Sequence, residues 1–388
     1  MDLDNIQWFF FEILRGGLWG YTDTTESIGN VSWEYVDWEE VYRLAEEQSV
    51  IGLVAAGIET VQGEWLKVHG SSLVPQEWAL QFIGQTLQIE QRNKAMNEFV
   101  ARLIELLRKN DIYAVLVKGQ GIAQCYERPL WRASGDVDLL LSDTNYQKAS
   151  IVLKEVTSAI EEENKYNKHL AMTIEGWPVE LHGTLRSGLW KKLDGVIDEI
   201  QKDVFYGGKV GSWQNGATCV FLPAAGEDVV IVFTHILQHF FLEGIGLRQI
   251  CDWCRLLYTY RESLDHGLLE SRIRKAGIMT EWKAFAALAV EYLGMPIKSM
   301  PLYSDASRWK RKASRIMDFV LETGNFGHNR DYTYKKKYPY VVMKAISMWK
   351  HIKDFGRYVV IFPEDAIKVT WRRMGVGFAV AIRGKWHE

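Results

Sequence analysis

The 388-residue chain carries 46 basic and 49 acidic side chains, a net charge of −3, with 47% hydrophobic and 24% charged residues. That length exceeds one ordinary core, suits two or three domains and excludes a small stapled scaffold, and the composition is that of a soluble globular protein. Four cysteines (Cys125, Cys219, Cys251, Cys254) are too few for a disulfide framework and fit a reducing compartment.

The chain opens MDLDNIQWFFFEILRGG, with acids where an export signal needs basic residues. Residues 1–95 read as an N-terminal helical region. WEEVYRLAEEQSVIGLVAAGIETV from Trp38 has apolar residues near helical spacing, and the stretch from Pro75 to Asp111 repeats them over several turns, with Pro75 suited to a first helical turn. Residues 96–224 change period. Ile112–Gly119, Asp136–Ser142, Lys168–Ile174, Pro178–Gly183 and Ala217–Pro223 are short β-rich runs closed by Gly, Pro or Ser. From Gly226 the helical pattern returns, so 225–388 is expected to be a C-terminal helical domain. The expected fold class is α+β, a small mixed sheet flanked by helices. Residues 335–388 carry a charge of +8, read as a solvated helical face or as a basic wall near an anionic substrate. The longest late apolar run, MGVGFAVAI from Met374, is far shorter than the ~20 residues of a membrane span. A cytoplasmic protein is expected.

The stretch SGDVDLLL places Asp136 and Asp138 two apart at the entrance to an apolar strand, so both face one side while Val137, Leu139 and Leu141 face the other. Like charges held so close repel, and either a bound divalent cation relieves them or the acids sit at a strand end and simply reach solvent. In the metal-free fold the pair is expected to be a local cost that Asp138→Asn relieves. Upstream, a strand ending at Lys118-Gly119 runs into a helix-like segment, placing free N–H groups where an anion could sit. Gly119 admits close approach, and Lys118 and Arg132 add charge; an ordinary turn is the simpler alternative. A third acid, Glu180, lies on the later strand WPVELHG. Side by side, Asp136, Asp138 and Glu180 could hold two Mg²⁺ ions.

This order of turn, Asp-x-Asp strand and third acid resembles the catalytic core of the polymerase-β nucleotidyltransferase superfamily. The match is closest to a bacterial branch described as uncharacterised nucleotidyltransferase, whose Lys-Gly turn, Arg before Asp-x-Asp and Glu-Leu-His strand appear here as VLVKGQGIAQCY, RASGDVDLLL and VELH. The resemblance covers roughly residues 85–260. It implies a Mg²⁺-dependent transferase moving a nucleoside monophosphate from an NTP such as ATP to a small-molecule or protein acceptor, with catalytic and metal-binding roles for Asp136, Asp138 and Glu180. The usual Gly-Ser or Gly-Gly pair is replaced by Gly119-Gln120, so Lys118 or the Gln120 amide would substitute for a Ser hydroxyl at the triphosphate. His182 shares Glu180's face and either touches the acceptor or is a hydrogen-bonded structural residue. The rival reading is a regulatory or antitoxin-like protein that binds nucleotide without turnover. A net charge of −3 argues against a nucleic-acid partner.

His235, His239, Cys251 and Cys254 imitate zinc spacing, but each pair falls on an apolar helix and is read as core. Arg248 and Asp252 are expected to form an i, i+4 ion pair or to line the cleft. His169 is read as a strand edge or a site residue.

Overall fold

A computed structural model describes residues 5–20, 36–69, 72–164, 168–325, 342 and 353–371. The first four residues, most of the basic tail and the run from Met374 lie outside the described residues.

Among the described residues the chain opens with α1 (Asn5–Trp19), α2 (Trp38–Glu47) and α3 (Ile51–His69). Asp37 caps α2 by accepting from the Glu40 N–H. The periodic stretch from Trp38 is two helices, because Ser49 takes a left-handed backbone (φ 55°) between them. In α4 (Gln76–Lys109), Pro75 is the extended capping residue at ψ 142°, one position outside the first turn. This helix runs without a break through residue 95.

Among the described residues the sheet has seven strands: β1 (Ala114–Val117), β2 (Val137–Leu141), β3 (Ala159–Ile160), β4 (His169–Ile174), β5 (Trp177–His182), β6 (Val210–Asn215) and β7 (Thr218–Pro223). Their order is β3-β4-β5-β2-β1-β7-β6, with β1–β7 and β2–β5 parallel and the other neighbours antiparallel. Five strands match the sequence reading. β3 is only two exposed residues, and β6 reads VGSWQN, so neither carries an apolar alternation. Leu116, Val137, Leu139, Leu141, Val179 and Leu181 cover one face and bury against Phe99, Leu103 and Leu107 of α4. That packing places every second residue of β2 and β5 on the opposite face.

Between the strands lie α5 (Gly119–Ala123), α6 (Asp143–Lys154) and α7 (Lys191–Tyr206); after β7 come α8 (Ala225–Leu242), α9 (Leu247–Thr259), α10 (His266–Ala276), α11 (Met279–Glu291) and α12 (Ser307–Thr323). The fold is α+β. Its larger core joins α1 to α8, α9 and α11, with Phe10 and Ile13 of α1 in one cluster with Phe233, Trp253, Trp282 and Phe285. Arg15 donates to the carbonyls of Tyr292 (2.9 Å) and Glu291 (2.7 Å), and the Trp19 indole donates to that of Leu293 (2.6 Å). α1 meets α3 at Gly17 and Gly57, where any Cβ would lie 1.8 Å from a carbonyl oxygen of the facing helix. Among the described residues no helix is long and apolar enough to cross a membrane.

Candidate active site

The parallel register of β2 and β5 sets Asp138 beside Glu180, and β1 brings Val117 against Asp138 from the other side. Asp136 immediately precedes β2 with Asp138's parity. Ligand oxygens of Asp136, Asp138 and Glu180 lie within 4.8 Å of one another. They open on a cleft of about 420 Å³ whose far wall is α8 and α9, including Ile231, His235, His239 and Arg248.

Lys118 has φ 59° and ψ −147°, and Gly119 follows at φ 40°. Glycine takes this geometry freely, whereas a lysine held there stores strain of roughly 1–3 kcal/mol. The turn delivers Lys118 Nζ to 2.8 Å from Asp138 Oδ1. His182 Nε2 approaches the same oxygen at 2.7 Å, and His169 Nε2 lies 3.0 Å from Glu180 Oε2. The chain therefore supplies its own cations to the acids. This corrects the expectation that the metal-free carboxylates repel uncompensated: removing Asp138 strips Lys118 and His182 of their shared partner.

The titration directions follow the contacts. Burial would raise Asp138, but Lys118 and His182 hold it below the usual carboxylate range. Hydrogen bonds from His169 and then His182 hold Glu180 down, while burial and the Asp138 charge push Asp136 up. Burial alone would lower Lys118 and His182; Asp138 raises both.

The other expected residues divide. Gly119 heads α5 close to the Asp136 carbonyl. The Gln120 side chain is turned inward, donating to Asn97 Oδ1 (2.6 Å) and accepting from Ser134 (2.7 Å), so only its backbone belongs to the turn. Arg132 lines the cleft, but its guanidinium is engaged by Asp252 in two bonds of 2.9 and 2.6 Å; Tyr126 donates to the same carboxylate at 2.8 Å. Arg132 is thus the partner of Asp252, in place of the expected Arg248–Asp252 pair. Arg248 instead donates to the Ala133 carbonyl (2.9 Å) and lines the cleft, with burial and Arg132 lowering its pKa to about 10.

His235 and His239 meet at 3.0 Å (Nε2 to Nε2) and line the cleft, whereas Cys251 and Cys254 are packed in the larger core. The metal-capable groups among the described residues are the acid triad and His169/Glu180/His182, and neither includes these four. Sequence reading overlooked Arg186 at the cleft, whose only signal is its place four residues after His182. Three carboxylates converging on one point offer the oxygen donors that a hard divalent cation takes.

The family described as Uncharacterised nucleotidyltransferase matches residues 34–294, from just before α2 to just beyond α11. The chain belongs to that family: it is a nucleotidyltransferase, an enzyme whose family implies a nucleotide substrate. No match was found among curated proteins, and none among solved structures.

Proposed function

We propose that the chain moves a nucleoside monophosphate from an NTP to a hydroxyl of a small-molecule or protein acceptor, releasing pyrophosphate, and that it does so with Mg²⁺. The observation that carries this reading is the convergence of Asp136, Asp138 and Glu180 within 4.8 Å at the cleft. Asp136 and Asp138 would hold two ions, Glu180 sharing one of them; bound there, Mg²⁺ would neutralise triphosphate charge and stabilise the departing pyrophosphate. The bond between the acceptor oxygen and Pα forms as the Pα–O–Pβ bond breaks. The acceptor's proton passes to Glu180 or to solvent. Lys118 and Arg248 bring positive charge to the triphosphate, the backbone of Gly119 and Gln120 offers N–H groups, and Arg132 fixes α9 against β2. The cysteine pattern supports a cytoplasmic setting.

One observation favours the rival, nucleotide binding without turnover: the Gln120 side chain is committed inside the fold, so it does not replace the Ser hydroxyl of the usual turn. A panel of acceptors with each of the four NTPs, read by pyrophosphate release and by transfer of labelled NMP, separates the two. Release with Mg²⁺, abolished in Asp138→Asn, is expected. Saturable NTP binding with neither release nor labelling would leave the rival standing.

A further inference from the structure

Glu180 belongs to a second donor set as well as to the acid triad. β4 and β5 are antiparallel with His169 directly opposite His182, and Glu180 lies two residues from His182 on the same face. The two imidazole rings sit 5.0 Å apart, inclined at 42°. Each presents its Nε2 to the same oxygen, Glu180 Oε2, at 3.0 Å from His169 and 3.4 Å from His182. All three side chains line the cleft.

These separations are those of a coordination shell. Zinc bonded to nitrogen and oxygen at ~2.0–2.1 Å in a tetrahedron sets its ligand atoms about 3.3 Å apart. The two N···O distances bracket that edge, and all three ligand atoms lie within 4.8 Å of one another. Donor chemistry then selects the ion. Mg²⁺ and Ca²⁺ take oxygen ligands, whereas two imidazoles and one carboxylate suit Zn²⁺, Fe²⁺, Co²⁺ or Ni²⁺. An ion on His182 Nε2 would take the place of that nitrogen's 2.7 Å contact with Asp138 Oδ1.

We propose that His169, Glu180 and His182 form a site for a divalent transition ion of the zinc class, adjoining the all-oxygen triad and joined to it through Glu180. The cleft then carries two cation sites of different chemistry, one hard and one nitrogen-rich. This goes beyond the transferase reading and shares only Glu180 with it, so either can fail alone.

The experiment is equilibrium dialysis of the full chain against Zn²⁺ in excess Mg²⁺, with bound metal counted by elemental analysis. One zinc per chain is expected to survive the Mg²⁺. His169→Gln should weaken zinc binding at least about tenfold, and His239→Gln should leave it unchanged. Asp136→Asn should retain zinc while abolishing Mg²⁺-dependent pyrophosphate release, which keeps the two readings distinguishable. Should a histidine variant fail to fold, Co²⁺ added to the wild-type chain gives an independent reading. Intense visible absorption of low-coordinate, nitrogen-ligated cobalt is expected; the pale spectrum of the aqua ion would overturn the site. So would zinc that is displaced by Mg²⁺, that is indifferent to His169→Gln, or that is lost in His239→Gln.

Discussion

Two buried charge clusters lie within one segment of chain and are built on opposite plans. Around Asp252, Arg132 closes a two-bond fork, Tyr126 donates to the same carboxylate, and Ser134, Gln120 and Asn97 continue the network. Around Asp138, one lysine and two histidines serve Asp138 and Glu180, two of the three acids that face a cleft, and the key lysine is held in a strained backbone. Fixed, matched partners with excellent geometry make a buried pair a clasp. Surplus acids with exchangeable partners make a site able to accept cations from outside. Composition alone would not separate them; the number of alternative partners does.

If the first cluster is a clasp, Asp252→Asn should destabilise the chain by about 3–5 kcal/mol, because Arg132 stays buried and loses its counter-charge. Urea unfolding measures it, and a loss below about 1 kcal/mol would erase the contrast. Asp228 sharpens the same region. It is fully buried near Asp252 with Oδ1 unpartnered, and burial with that neighbouring charge raises its pKa to about 7. An acid raised on folding costs nothing below its unfolded pKa and destabilises progressively until pH exceeds its folded value. Asp228→Asn should therefore match the wild type near pH 4 and exceed it by roughly 2–4 kcal/mol above pH 7. A uniform difference across pH would refute the assignment.

The site cluster should answer to ligand instead. Mg²⁺ with a non-hydrolysable NTP at about 100 times its dissociation constant should stabilise the wild type by ~2.7 kcal/mol, and Asp138→Asn should lose most of that gain. Without ligand the same variant should cost about 1–3 kcal/mol, less than Asp252→Asn, since Lys118 can turn to Asp136 or Glu180. Equal ligand-induced shifts in both proteins would end the metal assignment. The smallest effect belongs to Arg186–Asp198, an exposed pair at the cleft's edge. A double-mutant cycle there should give about 0.2–1 kcal/mol, showing that burial rather than ion pairing as such sets the larger values.

How much of this was readable beforehand depends on the range of each interaction. Asp136, Asp138 and Glu180 were legible because strand parity is local, and the Lys118-Gly119 turn because glycine marks it. The Arg132–Asp252 fork was not, since it spans 120 residues and an i, i+4 partner sat closer in sequence. His169 gained its meaning only from the β4–β5 register, which places it opposite His182. Gln120 looked like a ligand contact by position, and its inward rotamer is set by Asn97 and Ser134, which no local pattern announces. β6 was missed because Gly, Ser, Gln and Asn in a strand imitate a turn.

The seam between α1 and the loop after α11 bears on synthesis at the ribosome. Arg15 finds its acceptor at Tyr292, 277 residues later; at ~5–20 residues per second that partner emerges roughly 15–55 s after it. Meanwhile α1, with Phe9, Phe10 and Phe11 destined for the core, can pack first against α2 and α3, which lie nearest in sequence among the described residues. The glycine crossing at Gly17 and Gly57 allows that early embrace to be close. A side chain there would lengthen the time the nascent chain spends with this apolar helix uncovered, and the damage would register as lost yield before any active site had formed.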